Sequence, residues 1–196
     1  MNRLDPRSPL VFDTRELSRR PGSMREVSRR IEAPAVLGTD VIAVAEGTPI
    51  DVELRFESVV EGVLVTGEAT TVATGECVRC LGSLTQSVTA SFQELFVHAE
   101  RATRHRKTGG VDEENEEYFV VDDLIDLDEV LRDAVVPALP FQPVCREDCP
   151  GLCSQCGFTL AQDPTHTHEL LDPRWLALTQ MSSAASDVDR TDERRN

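Results

Sequence analysis

The residues of this 196-residue chain best placed to do chemistry are six cysteines and a closing pair of histidines. Cys145, Cys149, Cys153 and Cys156 crowd the stretch CREDCPGLCSQCG, and Cys77 and Cys80 form CVRC far upstream. His166 and His168 stand in HTH, beginning ten residues past Cys156. Zinc takes four thiolate or imidazole ligands in a tetrahedron, and a Cys-x-x-Cys turn supplies two with little strain. Four close pairs make eight ligands, enough for two closed sites. One or two structural zinc ions per chain are therefore expected.

Three partitions of the ligands are open. In the first, Cys153, Cys156, His166 and His168 close a local site within GLCSQCGFTLAQDPTHTH, and Gly151 and Gly157 give the backbone the freedom that a tight turn needs. Cys77, Cys80, Cys145 and Cys149 then form a long-range staple. The second is a single site of Cys77, Cys80, Cys153 and Cys156. The third is a local site of Cys145, Cys149, Cys153 and Cys156. Competing readings are three disulfides, a redox pair, or histidines that are merely exposed in a loop. Disulfides fit poorly with the reducing compartment expected for this chain. No thioredoxin-like βαβ pattern flanks either CxxC.

Catalysis is not expected. A catalytic zinc keeps an open position beside a proton-transfer group, whereas an all-cysteine site is closed. The chain carries no phosphate loop, GxSxG, HExxH or deaminase pattern. His98 and His105 have no nucleophile beside them in sequence. Neither a small-molecule substrate nor a membrane partner is expected.

The elements that must position these ligands are mainly β. In IDVELRFE (50–57), Ile50, Val52, Leu54 and Phe56 alternate with Asp51, Glu53, Arg55 and Glu57, the period of a half-buried strand. A turn at 61–62 leads into VLVTGEATTVATGEC, and LTQSVTASFQELFV (84–97) follows as a further strand, with CVRC at the tip between them. LVFDTREL and REVSRRI read as shorter strands around a turn at RRPGSM, and YFVV (118–121) as another. DLDEVLRDAVVPALP predicts a helix with a capping box from Asp126 and Glu129. Its apolar face is Leu127, Val130, Leu131, Ala134, Val135 and Ala138, and Pro137 and Pro140 should end it near residue 136. Asp172 and Pro173 open a second short helix. The predicted class is α+β: a mainly antiparallel sheet or partly open β-barrel, one packed helix and a C-terminal zinc-knuckle-like segment. The expected layout is a disordered 1–9, one domain over 10–181 containing a loop at 99–117 and the Cys-rich segment 145–168, and a disordered tail over 182–196.

The formal net charge is −15. So acidic a chain is repelled by a bare phosphate backbone and drawn to basic partners. Residues 31–100 hold eleven acids and two arginines, while residues 1–30 hold eight arginines and four acids. RATRHRK (101–107) runs straight into VDEENEE (111–117). Arg19, Arg20, Arg29, Arg30, Arg104 and Arg106 are the candidate RNA contacts. Aromatic residues, on which unpaired bases stack, make up only 5% of the chain. No stretch of about 18 apolar residues is present, and the N-terminus lacks the apolar centre of a signal peptide, so a cytoplasmic location is expected.

Several motifs carry a family resemblance as a set. They are CVRCLGSL at a strand end, an acidic loop ending in YFVVDD, IDLDEVLRDAVVPALPFQPVC, DCPGLCSQCGFTL and a closing DPRWLAL. Together they resemble the YceD family, whose members are large ribosomal RNA subunit accumulation proteins, over roughly residues 10 to 180. VFDTRELSRRPGSM resembles the actinobacterial form. Many relatives have Cys-x-Cys where this chain has His166-Thr167-His168, a swap that keeps zinc-binding capacity. The resemblance implies a role in large-subunit rRNA accumulation or processing and brings no catalytic residues with it. The family gene often neighbours that of a small basic large-subunit ribosomal protein. The expected partner is thus a basic large-subunit ribosomal protein or a pre-ribosomal particle, with direct rRNA binding through the arginines and zinc knuckles as the alternative.

Overall fold

Alternating apolar and polar residues set the central strands. The computed structural model describes residues 4–17, 20–98 and 118–168. The charged loop 99–117, the helix expected at Asp172, the tail 182–196 and Arg19, Arg104 and Arg106 lie outside the described residues. Chain contacts divide the molecule into one unit ending at Cys149 and another beginning at Pro150.

The first unit holds strands β1 (Val11–Asp13), β2 (Met24–Glu32), β3 (Leu37–Gly38), β4 (Ile42–Val44), β5 (Pro49–Ser58), β6 (Gly62–Glu76), β7 (Ser83–His98), β8 (Tyr118–Val120) and β9 (Leu124–Asp126), then helix α1 (Asp128–Ala138). In β5, Ile50, Val52, Leu54 and Phe56 are buried, and Asp51, Glu53 and Arg55 are exposed. Burying each large side chain contributes about 1.5–3 kcal/mol relative to exposure, which fixes the register. β6 pairs with β5 over Val63–Thr70 and with β7 along its whole length, from Gly62 opposite Val97 to Glu76 opposite Ser83. Both pairings are antiparallel, as the sequence predicts, and CVRC lies in the β6–β7 connection.

Three strands escaped the sequence reading, β3, β4 and β9. β3 and β4 are too short to show a period, yet β4 pairs with the far end of β6, setting Ile42 opposite Gly75. Gly75 permits that approach, since a Cβ there would lie 2.3 Å from the Val41 carbonyl oxygen. β2 pairs antiparallel with β5, whereas β8 runs parallel to the end of β7, a departure from a purely antiparallel sheet. The seven-stranded sheet, β2 to β8, does not close into a barrel among the described residues. β1 and β9 form a separate two-stranded ribbon, and Phe12 of β1 packs on Phe56 with ring centroids 5.5 Å apart.

Helix α1 packs on β7 and β3 and buries Val130, Leu131 and Val135, as its apolar face predicts. The capping box does not form. Leu127 is the N-cap residue, and Asp126 sits one position earlier, where its Oδ1 accepts the Asp128 N–H at 3.0 Å. The helix also runs two residues past the predicted end, to Ala138, with Pro137 inside its last turn. Pro137 cannot supply the N–H that would bond the Asp133 carbonyl, and the Leu139 N–H closes the end on the Val136 carbonyl at 3.3 Å. Pro140 then holds Leu139 extended, at φ −68° and ψ 141°.

In the second unit, the described residues 150–168 form a small turn-rich segment with one antiparallel bridge, Leu152 to Thr159. No helix among the described residues is long and apolar enough to cross a membrane.

Candidate metal centres

The eight candidate ligands gather into two groups of four, as in the first partition. Cys77, Cys80, Cys145 and Cys149 converge in the first unit, and Cys153, Cys156, His166 and His168 in the second. Within each group the ligand atoms all lie within 4.8 Å of one another.

The same turn presents the leading pair of each group. After β6, the Cys77 N–H bonds the Gly82 carbonyl at 2.8 Å, and the Leu81 N–H bonds the Cys77 carbonyl at 2.8 Å. In the second unit, the Cys153 N–H bonds the Phe158 carbonyl at 2.8 Å, and the Gly157 N–H bonds the Cys153 carbonyl at 2.9 Å. CVRCLG and CSQCGF thus fold alike. Both turns need a left-handed residue directly after the second cysteine, met by Leu81 at φ 57° and Gly157 at φ 71°. Glycine adopts that backbone without a Cβ penalty, and leucine does not.

The first group fits tetrahedral zinc closely. Zinc–sulfur bonds of about 2.3 Å imply sulfur–sulfur edges of about 3.8 Å. The Cys77–Cys149 and Cys80–Cys145 Sγ separations are both 3.8 Å. A disulfide needs sulfurs about 2.05 Å apart, so these are not disulfides, and all six cysteines are free thiols. Cys77 and Cys149 are buried, while Cys145 is exposed. The segment carrying Cys145 and Cys149 is tied to the knuckle by main-chain groups. The Val78 N–H bonds the Pro143 carbonyl at 2.9 Å. Arg79 Nη1 donates to the carbonyls of Glu147 at 3.1 Å and Cys149 at 3.2 Å. Arg79 thereby clamps the staple, a role that its place inside CxxC hides.

The second group is more compact. A zinc with two thiolates and two imidazoles sets S–N edges of about 3.6 Å and an N–N edge of about 3.3 Å. The Cys156 sulfur lies 3.3 Å from His166 Nε2 and 3.2 Å from His168 Nε2, and the two Nε2 atoms are 2.9 Å apart. Both imidazoles therefore aim the same nitrogen at the shared centre. Phe158 stacks on His166 at 4.7 Å and fixes the ring plane. Asp163 Oδ1 accepts the Thr165 N–H at 2.9 Å and its hydroxyl at 2.6 Å, which shapes the turn leading into the histidines.

Electrostatics single out the first cysteine of each knuckle. The Cys145 N–H aimed at its sulfur, joined by the N–H groups of Cys80 and Arg79, holds Cys77 at about 6 despite burial. The N–H groups of Gln155 and Cys156 likewise hold Cys153 at about 6. Cys145 is pushed up to about 12, chiefly by its bond to the Cys149 sulfur and then by desolvation. For Cys80, the Gly82 N–H favours the thiolate, but the bond to Cys77 and desolvation leave the thiol raised. Each centre thus carries a pre-formed thiolate that a divalent cation would meet first, with the remaining protons displaced on binding. A bound zinc would supply a cross-link. The first group, with four cysteine ligands, would offer it no open position for substrate.

Among the described residues, the candidate arginines Arg20, Arg29 and Arg30 do not form one patch. Consecutive strand residues face opposite sides. Arg29 lies over the Phe12 ring at 4.5 Å and bonds the Pro9 carbonyl at 3.0 Å. Arg30 pairs with both carboxylate oxygens of Asp51, at 3.0 and 3.1 Å. Arg20 stands in the turn before β2, where its carbonyl accepts the Ser23 N–H at 3.1 Å.

Comparison with known proteins gives a consistent answer. The family described as "Large ribosomal RNA subunit accumulation protein YceD" matches residues 65–182, a span that holds all eight candidate ligands. An uncharacterized protein of Mycobacterium tuberculosis and another of Mycobacterium bovis are each 46% identical over 181 residues, covering 92% of this chain and 85% of theirs. An uncharacterized protein of Mycobacterium leprae is 41% identical over 186 residues, covering 95% and 82%. No solved structure matches.

Proposed function

The chain belongs to the YceD family, and from that premise we propose that it is a non-catalytic ribosome-biogenesis factor of the cytoplasm. It supports accumulation of large-subunit rRNA by holding a basic large-subunit ribosomal protein. The family is described by rRNA accumulation and by no enzymatic activity.

One observation carries the partner's chemistry. On the outer face of the sheet, Glu53 of β5 stands directly opposite Glu68 of β6, and both are exposed. Like charges directly opposite on neighbouring strands are destabilising. Asp51, Glu57 and Glu26 share that face through the register, together with Arg30, which pairs with Asp51, and Arg55, which pairs with Glu57. A lysine- or arginine-rich segment laid across it relieves the repulsion and gains from the net charge of −15. Arg29 and Arg30 are already engaged within the chain, which favours a protein partner over RNA. The two metal centres, each holding zinc, act as structural pins.

The test is genetic. Cells in which Glu53→Lys and Glu68→Lys replace the native residues should show a reduced ratio of large- to small-subunit rRNA on a sucrose gradient, with the variant still folded and present at normal level. An unchanged ratio would remove the acidic face from the account.

A further inference from the structure

β2 is an edge strand with a self-matching sequence. Among the described residues it pairs with β5 alone. Its nine residues, MREVSRRIE, are mostly exposed and contain no proline. Such edges are templates for another strand unless something blunts them.

The hydrogen-bond phase shows which groups face outward. The Ser58 N–H bonds the Ser23 carbonyl at one end, and the Ala33 N–H bonds the Thr48 carbonyl at the other, each at 2.9 Å. Both brackets fall on odd-numbered residues in the register that pairs Met24 with Glu57 and Glu32 with Pro49. Antiparallel ladders alternate, so the odd residues of β2 bond to β5. Met24, Glu26, Ser28, Arg30 and Glu32 turn their N–H and C=O groups away from the sheet. Their side chains lie on the outer face, opposite Glu57, Arg55, Glu53, Asp51 and Pro49.

We propose that two copies of this chain pair β2 with β2, antiparallel about a two-fold axis at Ser28, making one continuous sheet. Only a ladder between outward-facing even residues can form. Centred on Ser28, it sets Glu26 opposite Arg30 of the second copy, and the symmetry makes that pair twice. Centring on Glu26 or Arg30 puts like charges on the axis. Centring on Arg29 sets Glu26 against Glu32, and centring on Val27 leaves Glu26 and Arg30 without opposite charges. Charge therefore selects one register. In it, Arg55, Glu26, Arg30 of the second copy and Asp51 of the second copy stand in one row across four strands, alternating in sign. The Arg30–Asp51 half of that row is already formed within each chain. Closed two-fold dimers with self-complementary surfaces are the commonest protein assemblies, and this strand meets their requirement. Such pairing would also merge the Glu53–Glu68 rows of two copies into one wider acidic face.

The experiment measures mass by sedimentation and light scattering on the purified, zinc-loaded full chain. The expected species at micromolar concentration is a dimer of twice the 21.7 kDa chain mass. Glu26→Lys alone and Arg30→Glu alone should each weaken dimerisation by at least ~10-fold, because each sets like charges opposite one another twice. Mixed in equal amounts, the two variants should form a heterodimer, since every introduced charge then faces an opposite one. Circular dichroism checks that each variant is folded. A monomeric wild type overturns the proposal. So does a dimer that neither variant weakens, or folded variants whose mixture stays monomeric.

Discussion

The metal should stabilise the sheet unit through its first centre alone, and the chain separations give the size of the effect. Cys77 and Cys149 are 72 residues apart and Cys80 and Cys145 are 65 apart, whereas Cys156 is 10 residues from His166. Loop closure costs (3/2)RT ln n, so closing 65 residues costs about 1.7 kcal/mol more than closing 10. An unfolded chain therefore assembles the first centre roughly 15-fold less readily than the second. Zinc at the first centre should bind almost only to the folded sheet, and its binding free energy would become folding free energy. Above the dissociation constant, each tenfold rise in free zinc adds about 1.4 kcal/mol. For a unit of this size that raises Tm by about 3–6 °C per decade. The assay is thermal unfolding followed by the β-sheet circular dichroism signal in zinc buffers. Cys145→Ser removes an exposed ligand with little effect on packing and should abolish the slope. Cys156→Ser should leave it intact. A Tm indifferent to zinc, or a slope that survives Cys145→Ser, would refute the staple.

Four further outcomes follow from the same geometry. Metal analysis should find two zinc ions in the wild type, one in Cys80→Ser, one in Cys156→Ser and none in the double variant; a single zinc lost in either single variant would mean a shared site. In the metal-free protein, half-buried Cys153, at about 6, should alkylate well below pH 8, while exposed Cys145, at about 12, should not. The thiolate is the nucleophile, so each rate rises with pH through its own pKa, and an order that follows exposure instead would contradict the pre-formed thiolates. Gly157→Ala forces a Cβ into the left-handed turn at a cost of about 1 kcal/mol, weakening zinc at the second centre about fivefold; equal affinity would mean the turn is not strained. Capture of a basic partner should weaken steeply with salt, since screening falls to about 3 Å at 1 M, and binding unchanged at that salt would exclude the acidic face.

The long strands and the close pairing of the candidate ligands were legible because their signals are local. β5 alternates strictly, and CxxC is itself a ligand-bearing turn. The partition of the ligands was not, since three groupings satisfied the same count and only the β6–β7 connection brings Cys77 and Cys80 to Cys145 and Cys149. β3 and β4 are too short for a period. Asp126 misled as a cap because its carboxylate serves the residue two positions on, one step before the true N-cap. Arg29 and Arg30 both read as candidate RNA contacts, yet strand alternation sends them to opposite faces. The outward-facing groups of β2 were not legible, because only its hydrogen-bond phase places Glu26 and Arg30 on the edge away from β5.

The most direct test of the central claim is a native capture of the chain from cells, split and treated with or without ribonuclease. The account predicts that a basic large-subunit ribosomal protein stays bound after the RNA is destroyed. Loss of every partner with the RNA would contradict it and place the contact on rRNA or the pre-ribosomal particle.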